Sequence, residues 1–138
     1  MSGAVTARST PYTDWVAAWV EQLCAIASIR SRVNASVRQL FESAAPELSE
    51  RSEFLAAVTD WLRKHPGLVD QWYGYSMDKR GSPSPYLEVD PTGVPLEVGF
   101  YNENLGRLDV SHHVDAAEAC ADFIYREASW VLRRERVR

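Results

Sequence analysis

The spacing of apolar residues divides the chain into a helical part and a part made of strands. In the first half, apolar positions recur every three to four residues, as at Trp19, Leu23 and Ile26, which is typical of helices with one buried side. There are three such stripes, of which Pro46 ends the second and the run His65-Pro66-Gly67 ends the third. We therefore predict three helices within residues 10–65.

The period of the pattern shortens to about two residues after Gln71. The alternating segments read WYGYSMD, PYLEVD, PLEVGFY and GRLDVSHH, and turn residues separate them. Short connections between alternating segments favour antiparallel pairing, so we predict a four-stranded meander over residues 71–113. Helical spacing returns after Asp115 and predicts a final helix over residues 115–135.

These elements predict an α+β fold with three N-terminal helices, a four-stranded antiparallel meander sheet and a C-terminal helix packed on one sheet face. The length of 138 residues suits a single domain with one hydrophobic core. Residues 1–9 precede the first helical stripe, and we expect them to be flexible.

The apolar alternation also predicts how the strands pair. One sheet face should be apolar and covered by helices, with inner positions at Leu87, Val89, Leu96, Val98, Phe100, Leu108 and Val110. If these residues are cross-strand neighbours, Glu88 lies opposite Glu97 on the outer side of the sheet. The same register brings Asp109 beside Gly99, diagonal to Glu97. Because like charges opposite one another usually destabilise a sheet, we look for a function of this outer side.

Composition and charge narrow the classes of partner. The chain is 46% hydrophobic with a formal net charge of -4, so it resembles a globular protein without the basic surface that binds nucleic acid or anionic membranes. It contains neither a long apolar run nor a secretory signal pattern, so we expect a cytoplasmic protein. Cys24 and Cys120 lie on helical stripes and are predicted to be buried reduced thiols.

Negative charge is concentrated in the predicted sheet. Residues 86–115 contain six carboxylates and a single arginine or lysine, Arg107. Tyrosines, which combine apolar area with a hydroxyl, can join the acidic side, and we consider Tyr73, Tyr75, Tyr86 and Tyr101 for this role. Such a surface either serves solubility or docks a basic partner protein. For docking, the predicted contact residues are Glu88, Asp90, Glu97, Tyr101, Glu103 and Asp109.

The C-terminal half reads VPLEVGFYNENLGRLDVSHHVDAAEACADFIYREASWVL and resembles the strand-strand-helix ending of small immunity proteins of bacterial polymorphic toxin systems. The resemblance implies a stoichiometric inhibitor that binds a cognate toxin and has no catalytic turnover. We expect such an inhibitor to occlude the basic active site of its toxin with the acidic, aromatic side of the sheet. The alternative is a small adaptor or secretion chaperone that binds a client segment along a sheet edge or helix groove.

Residues with catalytic or metal-binding chemistry do not form a convincing constellation in the sequence. Asp109, Ser111 and His113 alternate along one strand, but successive positions on one strand face are about 7 Å apart, too far for a nucleophile and its base. His112 and His113 are adjacent and point to opposite faces of a strand, so they cannot readily share a metal ion. We therefore predict no catalytic residue, no metal ligand and no cofactor.

Overall fold

Among the residues that the structure describes, the order of elements is four helices, a three-stranded sheet and a last helix. The computed structural model describes residues 18–78, 83–90 and 92–137, with side chains as far as residue 133. Its elements are α1 (18–29), α2 (Val37–Ala44), α3 (Arg51–Lys64), α4 (Gly67–Asp78), β1 (Ser84–Val89), β2 (Leu96–Asn102), β3 (Gly106–His113) and α5 (Ala116–Val137). The α+β class is thus as predicted, whereas segment 1–9 and the predicted start of the first helix lie outside the described residues.

The predicted numbers of helices and strands are wrong, because the segment WYGYSMD is the end of helix α4 and not a strand. Its many aromatic residues favour a strand when they are considered alone. In the structure, Trp72 and Tyr75 are both buried. They lie three residues apart, so a helix places both on one side, facing the core. The helical part therefore extends to Asp78, beyond the predicted end at residue 65.

Helix α5 is the central element of the fold. It contacts α2, α3 and α4 as well as all three strands, while α4 also contacts β1 directly. Phe123 and Ile124 are fully buried within it, as expected of a helix that is covered nearly all round. Asp115 caps its first turn by accepting a hydrogen bond from the backbone N–H of Ala117 at 3.2 Å.

The sheet is an antiparallel meander with the order β1-β2-β3. The register predicted for β1 and β2 is confirmed, since Leu87 lies opposite Val98 and Glu88 lies opposite Glu97. Leu87 and Val98 are buried against the helices, which excludes a one-residue slip of the pairing. The sheet therefore has an inner face toward α5 and an outer face without a covering helix among the described elements.

The predicted register of β2 and β3 holds only as far as Phe100, which pairs with Leu108. Beyond it, Asp109 and Val110 together oppose Gly99, which is a β-bulge, and Asp109 has the positive φ of 52° that aspartate tolerates. The extra residue reverses the facing of the rest of β3, so Ser111 turns inward. Val110, predicted to be an inner residue, is instead 40% exposed.

Both cysteines are free and buried, as predicted. Desolvation by burial raises the pKa of the Cys24 thiol to about 12 and places that of Cys120 well above its usual value. Such thiols remain protonated and have a packing role. Within the described ranges, no helix is both long and apolar enough to cross a lipid bilayer.

Candidate functional site

The outer face of the sheet carries the most organised group of exposed polar side chains. Its members come from all three strands and alternate with the inner residues along each of them. We define the outer face as Tyr86, Glu88, Glu97, Tyr101, Arg107 and His112. The described helices pack on the other side of the sheet, so none of the described elements covers this face.

Glu97 is the centre of a hydrogen-bond network on the outer face. The hydroxyl of Tyr86 donates to Glu97 Oε2 at 2.5 Å, and Arg107 Nη1 donates to the same oxygen at 2.6 Å. His112 Nε2 lies 3.3 Å from Glu97 Oε1. The hydrogen bond from Tyr86 is the main reason why the pKa of the Glu97 carboxyl lies below its usual value, and the contacts with Arg107 and His112 act in the same direction. Glu97 is therefore a fixed carboxylate, 21% exposed, rather than a mobile surface acid.

Arg107 links the two opposed glutamates. Its Nη2 lies 2.9 Å from Glu88 Oε1, while its Nη1 binds Glu97. The guanidinium also lies 5.2 Å from the centre of the Tyr86 ring, a distance typical of a cation–π contact. Glu88 and Glu97 therefore lie opposite each other as predicted, and Arg107, which contacts both, offsets the repulsion between their carboxylates.

Gly99 allows the Tyr86 ring to lie across strand β2. A Cβ atom at position 99 would be 2.7 Å from the Tyr86 hydroxyl oxygen and 3.0 Å from two ring carbons, closer than such atoms approach in proteins. Because Gly99 has no side chain, the Tyr86 ring can lie over position 99 and its hydroxyl can reach Glu97. Gly99 and Tyr86 are directly paired across β1 and β2.

We expect Gly99→Ala to destabilise the protein by about 1 kcal/mol, because the displaced Tyr86 loses its hydrogen bond to a charged acceptor. Equilibrium urea unfolding of both proteins measures the effect. Gly74→Ala is the matched control, since a Cβ at that helical position meets nothing within 4 Å and alanine favours helix. Equal stability changes in the two variants would show that Tyr86 does not depend on Gly99.

The pKa of Glu97 also predicts a pH dependence. Because its folded-state pKa is lowered, its contribution to stability is complete above the unfolded-state pKa of about 4.3 and is lost as the pH falls through the folded-state value. Glu97→Gln removes the titrating group. The stability difference between the wild type and this variant should therefore be greatest near neutral pH and shrink at roughly pH 3, as measured by urea unfolding. A difference that is constant over this range would contradict the assignment.

The other predicted contact residues do not all join the outer face. Tyr101 does and is 42% exposed. Asp90 follows β1, where its Oδ1 accepts hydrogen bonds from the backbone and hydroxyl of Thr92, so it orders the β1–β2 connection. Glu103 lies exposed in the turn between β2 and β3. Asp109 lies at the bulge, away from the pair formed by Glu88 and Glu97.

Two tyrosines that were considered for the acidic side belong to helix α4 instead. Tyr75 is buried, and its hydroxyl donates to the buried carboxylate of Glu127 at 2.7 Å. Tyr73 is half-buried and packs against the core. Of the four tyrosines considered, Tyr86 and Tyr101 are part of the outer face.

A buried ionic cluster between α5 and the inner face was not predicted from the sequence. Asp122 of α5 accepts hydrogen bonds from Arg126 at 2.8 Å and from Arg51 at 3.1 Å, and His113 Nε2 lies 2.9 Å away. An acid within the apolar stripe of α5, followed by arginine four residues later, was the signal available in the sequence. The cluster joins β3, α3 and α5, so its first effect is structural.

The two inward-facing polar residues of β3 are both engaged with α5. The hydroxyl of Ser111 accepts a hydrogen bond from Arg126 at 3.1 Å, and His113 contacts Asp122. The described hydrogen bonds thus connect Ser111 and His113 each to α5. A nucleophile and its base would instead be hydrogen-bonded to each other. In the described part of the chain, no group of three or more His, Cys, Asp or Glu residues could hold a metal ion.

Comparisons with known proteins do not assign a family. No family model matches the chain, and no curated protein or solved structure resembles it significantly. The resemblance to immunity proteins therefore stays a prediction.

Proposed function

We propose that the protein is a stoichiometric inhibitor that binds a cognate bacterial toxin with the outer face of its sheet, as an immunity protein does. The observation that carries this proposal is a pre-ordered network of Tyr86, Glu97 and Arg107 on a sheet face that no described helix covers. Side chains that are already ordered lose little conformational entropy on binding. A surface of this kind supports recognition of a partner protein.

Charge supports a basic partner. Residues 84–107, which include the outer-face glutamates and the turns at the ends of β2, contain four carboxylates and only Arg107 as a lysine or arginine, although the whole chain carries a net charge of only -4. An acidic surface accelerates association with a positively charged active site and opposes association with acidic proteins. Occlusion of such a site would neutralise a toxin without any reaction catalysed by the inhibitor. The inhibitor would act in the cytoplasm, where the toxin threatens the cell that makes it.

The geometry divides the proposed contact residues by role. Glu88 is about half exposed, and Tyr101 presents an accessible ring, so these two are the proposed direct contacts. Glu97 is occupied by three neighbours and positions Tyr86 and Arg107 for the partner. Asp90 and Glu103 contribute negative charge from the turns at the two ends of β2.

The adaptor alternative, in which a client strand adds to a sheet edge, is less well supported at β1. The hydroxyl of Ser76 on α4 contacts both the backbone N–H and the carbonyl oxygen of Leu87, at 2.9 and 3.2 Å. An added strand needs these backbone groups to be available. Their occupation favours the outer face over this edge as the binding surface.

A capture experiment tests the proposal. The tagged protein is incubated with lysate of its native host, washed with about 1 M sodium chloride, where the Debye length falls to ~3 Å, and the eluted proteins are identified by mass spectrometry. We expect the salt to elute a basic protein that arrests growth when it is expressed alone. A retained secretion component that resists salt would support the adaptor and contradict the inhibitor.

A further inference from the structure

A second candidate site lies on the opposite side of strand β3 from the outer face. The bulge in β3 and helix α5 border a cleft with a volume of about 680 Å³, which is within the range of small-molecule sites. We call this space the cleft. It is lined by Arg51, Pro85, Phe100, Asp109, Val110, Ser111, Tyr125, Arg126, Ser129, Trp130 and Arg133.

Aromatic side chains form one wall of the cleft. Phe100 and Trp130 are half-buried and pack edge to face, with ring centres 5.0 Å apart. Tyr125 is also half-buried, and its hydroxyl is anchored to the carbonyl oxygen of Leu48 at 2.9 Å. Rings held in this way offer a rigid surface against which a planar ligand group can stack.

Three arginines line the same cleft. Arg126 is fixed by Asp122 and by the carbonyl oxygen of Asp109, so its position is determined before any ligand arrives. Arg51 lies over the Tyr125 ring at 5.1 Å and is about half exposed. Arg133 is exposed, and no hydrogen bond or ion pair engages it within the described residues. The lining includes one carboxylate, that of Asp109, and the buried Asp122 pairs with both Arg126 and Arg51. Arg133 is therefore the cleft arginine without a described counter-charge.

Ser129 adds an unused polar group to the same wall. Its Oγ is buried and has no hydrogen-bond partner among the described residues, although it belongs to the cleft lining. Buried hydroxyls normally have a partner, but this Oγ is enclosed by protein atoms, so a ligand in the cleft reaches it only after neighbouring side chains move.

From this geometry we propose that the cleft binds a small organic anion in which a planar ring carries a phosphate or a carboxylate. The ring stacks against Phe100 and Trp130, and the anionic group is held by Arg51 and Arg133, since guanidinium groups suit the geometry of both anions. The site lies on the other side of β3 from the outer face, so it does not depend on the proposed inhibitor function.

Isothermal titration calorimetry with four probes tests the proposal. Adenosine monophosphate and adenosine-5′-carboxylate carry the same ring and sugar with each kind of anion, whereas adenosine and inorganic phosphate supply only one half of the recognised chemistry. We expect one of the two ring anions to bind at least about tenfold more tightly than adenosine or phosphate, and the stronger of the two identifies the anion.

A pair of charge reversals controls for general electrostatics. Arg133→Glu should weaken binding of the preferred probe by about tenfold or more, because an exposed cleft cation becomes an acid. Lys64→Glu changes the net charge equally at an exposed position of α3 and should leave binding unchanged. The proposal is overturned if neither ring anion binds at millimolar concentration, if phosphate alone binds as tightly, or if folded Arg133→Glu keeps full affinity.

Discussion

Asp122→Ala is expected to lower the free energy of unfolding by about 3 kcal/mol or more, because it removes the centre of a buried ionic cluster. The Asp122 side chain is only 4% exposed and has contacts with Arg126, Arg51 and His113. Without it, the largely buried guanidinium of Arg126 has lost its counter-charge. Equilibrium urea unfolding, with the folded state checked by circular dichroism, measures the loss.

An exposed ion pair provides the control for this result. Asp60→Ala removes the contact between Asp60 and Lys64 on the surface of α3, where both side chains are more than half exposed. A surface pair of this kind contributes no more than about 1 kcal/mol. If Asp122→Ala costs no more than Asp60→Ala, the buried cluster does not join α5 to β3 and α3 as we describe.

The double substitution Glu88→Lys with Tyr101→Ala is expected to weaken binding of the captured toxin by about 2 kcal/mol, or roughly thirtyfold. It reverses one accessible charge and removes one accessible ring. It breaks the contact between Arg107 and Glu88 but keeps Glu97 and its hydrogen-bond donors Tyr86 and Arg107. For this reason it is a cleaner test than reversal of Glu97, which would also displace Tyr86 and Arg107. Titration calorimetry with the purified partner measures the change.

Asp60→Lys is the matched control for this binding experiment, because it reverses an exposed acid on α3, a helix that packs against α5 on the side away from the sheet. We expect it to leave the affinity within about threefold of the wild type, since charge at a distance is screened. An equal loss of affinity in both proteins would mean that overall charge, and not the outer face, determines binding.

Local pattern predicted the pairing of β1 and β2 because only one register buries Leu87 together with Val98. Once this register is known, the approach of Tyr86 to Gly99 also follows. The same reasoning failed at Asp109, where one extra residue is accommodated as a bulge and reverses the facing of all later positions in β3. Alternation assumes an uninterrupted strand, so it cannot locate such an insertion.

Elements that depend on contacts distant in sequence were the hardest to predict. The segment that contains Trp72 has aromatic residues suited to either helix or strand, and the choice is made by burial among α1, α2 and α5. Asp122 is paired mainly with residues of other elements, so its role is visible only after the fold is known. For the candidate site, the sequence identified Glu88, Glu97 and Tyr101 but not the linking role of Arg107.

The most direct test of the proposed function is a growth assay in a neutral bacterial host that expresses the captured toxin. We predict that co-expression of the wild-type protein restores growth, whereas the folded Glu88→Lys, Tyr101→Ala protein at equal abundance does not. Restoration of growth by Asp60→Lys would show that the failure is specific to the outer face. Full protection by the outer-face variant, or no protection by the wild type, would contradict the proposal that this face neutralises a toxin.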